Sequence, residues 1–213
     1  MNLRTWQQKI IDEFPSITQK YRKFILKAPT GAGKTVLASE IVERFYPDQK
    51  IIVLCHRLVL LEQLEEALGR KHAVRKLTGA DKGPAFDGYD ILLSTNLRAK
   101  EVLADAISKA DLIIVDEAHR ARRRNRPKMD AGQPEVDEKP DPNKLMAFLC
   151  QIGDKTKSML LATATPVQLH PIEAWDLLSI LSNGNESVLG GITKTSRWFS
   201  AYRTIQIATG EQT

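Results

Sequence analysis

The sequence predicts a doubly wound α/β fold: a mostly parallel sheet with helices on both faces. Three observations predict it. Short apolar runs recur along the 213 residues with little alternation, the pattern of strands buried on both sides of a parallel sheet. Helical spacing fills the intervals between them. A glycine-containing turn joins the first run to the first helix that follows it, the junction at which such sheets bind ligands. In order, the expected strands are "KFILKA" (23–28), "KIIVLC" (50–55), a weaker "HAVRKL" (72–77), "DILLST" (90–95), "DLIIVDE" (111–117) and "KSMLLATA" (157–164). The expected helices are "KTVLASEIVERF", "LVLLEQLEEALGR", "LRAKEVLADAISKA", "NKLMAFLCQI" and "PIEAWDLLSIL". Strand and helix alternate, as the fold class requires. Residues 120–142 break the rhythm with little apolar content, several prolines, and a basic half before an acidic half. They are expected to form an exposed or disordered insertion.

Hydrophobic residues make up 42% and charged residues 27%, enough to bury a core. No run of about 18 apolar residues offers a membrane span. The charged amphipathic start, "MNLRTWQQKIIDEF", lacks the apolar block of a secretory signal. Cys55 and Cys150 are far apart, without metal spacing, and read as buried free thiols in a reducing, cytoplasmic setting. The net charge of +5 is compatible with a polyanionic partner.

"KAPTGAGKT" (27–35) has the composition of a phosphate cradle. Glycines at 31 and 33 let successive N–H groups turn inward without a Cβ in the way, and the following helix points its positive end at the same place. Thr30, Gly31, Ala32, Gly33, Lys34 and Thr35 are therefore the candidate nucleotide-binding residues, Lys34 for the β- and γ-phosphates and Thr35 for Mg²⁺. The strict pattern has glycine where Ala28 stands. A second requirement is an acid at the end of a buried strand. "LIIVDEAH" (112–119) meets it, with Asp116 as a magnesium ligand and Glu117 as the residue that orients and deprotonates a water. Lys34, Asp116 and Glu117 are the candidate catalytic set.

With "APTGAGKT" and "DEAH" together, the chain resembles the superfamily 2 helicases and translocases. The resemblance implies a RecA-like P-loop NTPase lobe that uses ATP and Mg²⁺ and acts on nucleic acid, with DNA favoured over RNA. It also implies roles for further residues. "LRTWQQKII" (3–11) is similar to an adenine-recognition motif in which Gln7 reads the base, flanked by Arg4 and Trp6. "VLCHRLVLLEQL" (53–64) places Arg57, Leu60 and Gln63 at the family's spacing, with His56 where the family usually has proline. Thr78 and Gly79 in "LTGA", and Thr95 in "LLSTNL", are nucleic-acid backbone candidates together with Arg57. "ATATP" (162–166) resembles the motif that couples the nucleotide site to the strand-tracking surface through Thr163 and Thr165, with His119 as partner. "TATPVQLHPIEAWDLLSIL" (163–181), with Glu173 and Trp175, and "RWFSAY" (197–202) resemble Swi/Snf-type ATPases, whereas the front end resembles restriction-enzyme helicase subunits. Residues 1–213 are expected to form one such lobe, with a second lobe that donates arginines lying outside this chain.

The basic run "HRARRRNRPK" (119–128) admits two readings. It contacts a phosphate backbone, or it is a solvated loop answered by the acids from Asp130 to Asp141. The alternatives to a motor are a small-molecule P-loop kinase and a non-catalytic nucleotide-sensing module.

Overall fold

A computed structural model describes residues 3–77, 86–96, 106–125, 141–169 and 171–183. The chain divides into two compact units, Met1–Glu117 with Lys155–Ala164, and Ala118–Asp154 with Thr165–Thr213.

The first unit holds the sheet. Its helices are α1 (Thr5–Lys20), α2 (Lys34–Phe45) and α3 (Leu58–Leu68). Its strands are β1 (Lys23–Lys27), β2 (Ile51–Cys55), β3 (Val74–Lys76), β4 (Ile91–Thr95), β5 (Leu112–Val115) and β6 (Met159–Thr163). They lie in the order β1-β6-β5-β2-β4-β3, and every pairing is parallel. All six expected strands are present, within a residue or two of their expected ends.

The apolar runs are continuous because both faces of the sheet are buried. On one face Val53, Cys55, Ile91, Leu93, Ile114 and Leu160 pack against Phe14 of α1, Leu37 and Ile41 of α2, and Leu61 and Leu64 of α3. Residues of the opposite face, Ile52, Leu54, Leu92, Ile113 and Leu161, are at most 1% exposed. Burying each such side chain contributes about 1.5–3 kcal/mol.

Helix α1 runs through Pro15, where loss of an N–H and a ring clash ordinarily end a helix. Just before it, Phe14 sits edge-on to Phe24 at 5.5 Å and against Phe45 at 4.8 Å. This aromatic cluster fastens α1 to β1 and α2.

The second unit contains a short helical turn, Ala118–Arg120, and helices α4 (Lys144–Gly153) and α5 (Ile172–Ser182). Asn143 caps α4 by accepting from the Met146 N–H at 2.9 Å. The helix expected over "LRAKEVLADAISKA" falls largely outside the described residues, which show a short turn at Ile107–Lys109. Most of the expected insertion also lies outside them. Its start is exposed only in part: Arg120 and Arg124 are exposed, but Ala121 is fully buried, and Arg123 bridges Pro142 as an isolated antiparallel pair.

Candidate functional site

Parallel strands all deliver their carboxyl ends to one edge of the sheet. Strands β1, β6 and β5 are neighbours there. The glycine-rich loop therefore leaves β1, Thr163 ends β6, and Asp116 follows β5. At about 4.8 Å between strands, the loop and Asp116 stand roughly 10 Å apart along the edge, with Thr163 between them. Thr163 is fully buried, and its carbonyl accepts from the Ala28 N–H at 3.1 Å.

The loop is built by its backbone. Gly31 and Gly33 take φ of 73° and 93°, left-handed values open to glycine. Gly33 caps α2 without a side-chain acceptor, and no acid occupies the first turn. The helix therefore presents its N–H groups and positive dipole end to a ligand. Ala28, standing where the strict pattern has glycine, is not among the positive-φ residues, so its methyl costs nothing. The Lys34 ammonium is held inside the loop, donating to the carbonyls of Ala28 at 3.2 Å and Pro29 at 3.4 Å. Lys34 is only 9% exposed. Thr30 and Gly31 are exposed at the tip, and the Ala32 N–H closes a turn onto Pro29.

Gln7 is 3% exposed and braces this loop. Its amide donates to the Gly33 carbonyl at 3.0 Å and accepts from the Arg4 N–H at 2.8 Å. The Arg4 guanidinium donates to the Gly31 carbonyl at 3.4 Å. A Cβ on Gly33 would stand 2.8 Å from Gln7 Nε2, whereas one on Gly31 would meet nothing within 4 Å. Gly33→Ala is therefore expected to lower stability by more than Gly31→Ala, although both meet the left-handed cost of about 1–2 kcal/mol. Thermal denaturation of the two variants checks this, and equal losses would remove the role given to Gln7.

Lys34, Thr35 and Asp116 line one pocket, walled by Val53, Leu60, Leu64, Ile114 and Ala162. Burial, and then the charge of Glu117, push the Asp116 carboxyl above its ordinary range, against the pull of the Glu117 N–H and the Lys34 charge. Asp111, at the opposite edge of the sheet, behaves differently. Burial acts to raise it, but Lys157 at 2.6 Å and the Lys50 N–H at 2.9 Å hold it below the usual range. Asp111 ties loops together, while Asp116 stays in the pocket with its charge poorly compensated. Glu117 adopts φ 51°, the one non-glycine positive φ among the described residues, a strained conformation that needs support from its surroundings. A threonine hydroxyl and one carboxylate suit Mg²⁺, a hard cation that takes its remaining ligands from water and phosphate. Among the described residues no group of three or more His, Cys, Asp or Glu is placed to bind a metal.

The other expected residues are placed as follows. Arg57 is exposed at the N-cap of α3, just past β2, and Thr95 ends β4. Both stand at the same carboxyl edge as the loop, on adjacent strands. Thr78, Gly79 and the "RWFSAY" segment lie outside the described residues. In the second unit, His119 lies in the turn Ala118–Arg120, and Thr165 is exposed and accepts from the Gln168 amide at 3.2 Å. Cys55 is a buried free thiol, pushed up to about 12 by burial and by Asp116.

The basic run fits neither of its expected readings at its start. Arg123 donates to Asp176 through its backbone N–H and its Nε, both at 2.8 Å. Arg122 donates to Glu173 at 3.1 Å. Arg124 faces the acidic half, 3.9 Å from Asp141. Sequence reasoning missed Asp176, which is fully buried. The available signal was a second acid one helical turn after Glu173 in an otherwise apolar helix.

A parallel α/β sheet with a glycine-rich loop after β1 and an acid after β5 defines the RecA-like lobe of a helicase-type P-loop ATPase. The family described as "Type III restriction enzyme, res subunit" matches residues 1–168, and the chain belongs to it. The fold is also that of the SWI2/SNF2 ATPase core of Sulfolobus solfataricus in complex with dsDNA, with TM-score 0.61 and 19% identity, covering 90% of this chain and 37% of that one. The Hef helicase domain of Pyrococcus furiosus superposes with TM-score 0.59 and 23% identity, over 84% of this chain and 36% of that one. The chain thus spans little more than a third of either structure. A segment of 92 residues is 36% identical to the chaperone protein ClpB of Malacoplasma penetrans (strain HF-2), covering 41% of this chain and 12% of that protein. Nothing in these likenesses favours a small-molecule kinase. Among the described residues, no helix is long and apolar enough to cross a membrane.

Proposed function

We propose that this chain is the ATP-binding lobe of a cytoplasmic, ATP-dependent DNA helicase or double-strand DNA translocase. The observation that carries the proposal is the single pocket lined by Lys34, Thr35 and Asp116. The amides around Gly31 and Gly33 and the Lys34 ammonium bind the phosphates, while Thr35 and Asp116 hold Mg²⁺. Bound there, the ion spreads the negative charge that develops as the γ-phosphoryl group moves. Glu117 orients a water and accepts its proton at a carboxylate oxygen. Gln7, already braced against Gly33, sits beside the phosphates and reads the adenine edge. Thr163, between the loop and Asp116, couples the site to Thr165 and His119.

The same edge has a second half. Arg57 after β2 and Thr95 at the end of β4 lie beyond Asp116 in strand order, where they contact a nucleic-acid backbone without reading its sequence; Thr78 and Gly79, outside the described residues, are proposed for the same role. Duplex DNA is the favoured partner, supported by the fold shared with an ATPase core solved on dsDNA. A second RecA-like lobe supplies the arginines that complete the site. The contribution of such an arginine, about a thousandfold or more in rate, makes this chain a slow enzyme by itself. Turnover by the purified chain is expected to be near background and weakly responsive to duplex DNA, whereas the two-lobed protein is expected to be strongly DNA-stimulated. Vigorous DNA-stimulated hydrolysis by the single chain would remove the need for a second lobe.

A further inference from the structure

Two ion pairs of the second unit share one feature. Residues 122 and 123, on the turn that follows Asp116–Glu117, grip residues 173 and 176, which are neighbours on one face of α5. The turn is pinned throughout. Asn143 donates to the carbonyls of Arg120 at 2.6 Å and Arg122 at 3.0 Å. The Arg124 N–H donates to the Asp141 carbonyl at 2.7 Å, and Arg123 is locked to Asp176.

Glu173 does something Asp176 does not. Its side chain is 7% exposed, and its two oxygens serve two different stretches of chain. One accepts from Arg122 at 3.1 Å. The other accepts from the backbone N–H groups of Gln168 at 2.6 Å and Leu169 at 3.1 Å. The first stretch continues directly from Glu117, and the second continues directly from "ATATP". Burial acts to raise the Glu173 pKa, but these N–H donors and Arg122 outweigh it and hold the carboxyl below its usual range. The group is therefore an ionised, three-donor acceptor at neutral pH.

We propose that Glu173 is a positioning residue: its single carboxylate fastens the turn leading out of Asp116–Glu117 to the turn leading out of Thr163–Thr165, so that the two move together when nucleotide binds. The proposal rests on the reading of the P-loop and Asp116 as an ATP site. Its physical basis is acceptor capacity. Glutamine has the same shape but one acceptor oxygen, and its amide nitrogen cannot accept from either set of donors. A Glu173→Gln chain must release one of the two stretches. Arg122, whose side chain is 40% exposed, allows the same link to be cut from the other side without opening a buried space.

The test is hydrogen exchange on the 213-residue chain, with and without Mg²⁺ and the imido analogue of ATP. In the parent, the analogue is expected to slow exchange at residues 30–36 and also at Gln168 and Leu169. In Glu173→Gln and in Arg122→Met, which carries no side-chain donor, protection at 30–36 should remain and nucleotide-dependent protection at 168–169 should disappear. Ser179→Ala, which removes a hydroxyl bonded to the Trp175 carbonyl on the same helix, should behave as the parent and so controls for general loosening of α5. Protection at 168–169 that survives in both variants, or that never appears in a parent protected at 30–36, would overturn the proposal. A parent chain unprotected at 30–36 would instead overturn the nucleotide reading, and the proposal with it.

Discussion

Lys34→Ala is expected to lower the affinity for magnesium nucleotide by about a hundredfold or more. Each charge-assisted hydrogen bond to a phosphate oxygen contributes roughly 1.5–3 kcal/mol, and the proposed role of Lys34 is to bind two phosphates. The structure gives a reason to expect that another cation will not substitute. The ammonium is threaded inside the loop onto the carbonyls of Ala28 and Pro29, a compact point-charge position that a planar guanidinium does not fit. Lys34→Arg is therefore expected to rescue little. Nucleotide titration by calorimetry measures the loss, and circular dichroism should show the fold retained. Unchanged affinity would mean that the triphosphate is held somewhere other than this loop.

Asp116→Asn is expected to stabilise the fold while destroying its chemistry. Burial and the Glu117 charge raise the Asp116 pKa in the folded chain. The sign follows from linkage. A carboxyl whose folded pKa lies above its unfolded value binds protons more tightly when folded, so the fold loses stability as pH rises through that interval. At neutral pH the ionised group is a standing cost, and the neutral isostere removes it. Without nucleotide, the melting temperature of the variant should rise, by about 2–4 °C for each kcal/mol recovered. Turnover should fall on the order of a hundredfold or more, the scale seen when one preorganised charge-stabilising group is removed. Magnesium-dependent binding by the parent should weaken on acidification at a higher pH than an ordinary aspartate would dictate. A variant that melts no higher than the parent would contradict the burial argument, and one that keeps full turnover would remove Asp116 from the metal site.

Both expectations concern residues that the sequence singles out before any coordinates. The six strands were legible too, because a strand buried on both faces must be apolar at successive positions, and that is a local property of the string. The cradle and the acid were legible for a related reason. Glycine where φ must be positive, and a charge at the end of an apolar run, are each set within a few residues of chain.

Other features had no local signature. A proline ordinarily stops a helix, yet α1 runs through Pro15, with Phe14 just before it packed on rings from β1 and α2. Asp111 and Asp116 flank the same strand and look equivalent as letters. Strand direction separates them, placing one among Lys50 and Lys157 and the other in the pocket. The arginines after the "DEAH" letters looked like a surface charge block, but Arg122 and Arg123 find their acids 51 and 53 residues further along.

By itself, then, the sequence determined the alternation of strands and helices, the phosphate loop and the pair of acids, since these follow from steric and hydrophobic preferences acting between near neighbours. Tertiary structure alone decided which charges pair with one another and which line the pocket. Coulomb energy and desolvation depend on distance and burial in space, and neither quantity exists until the chain has folded.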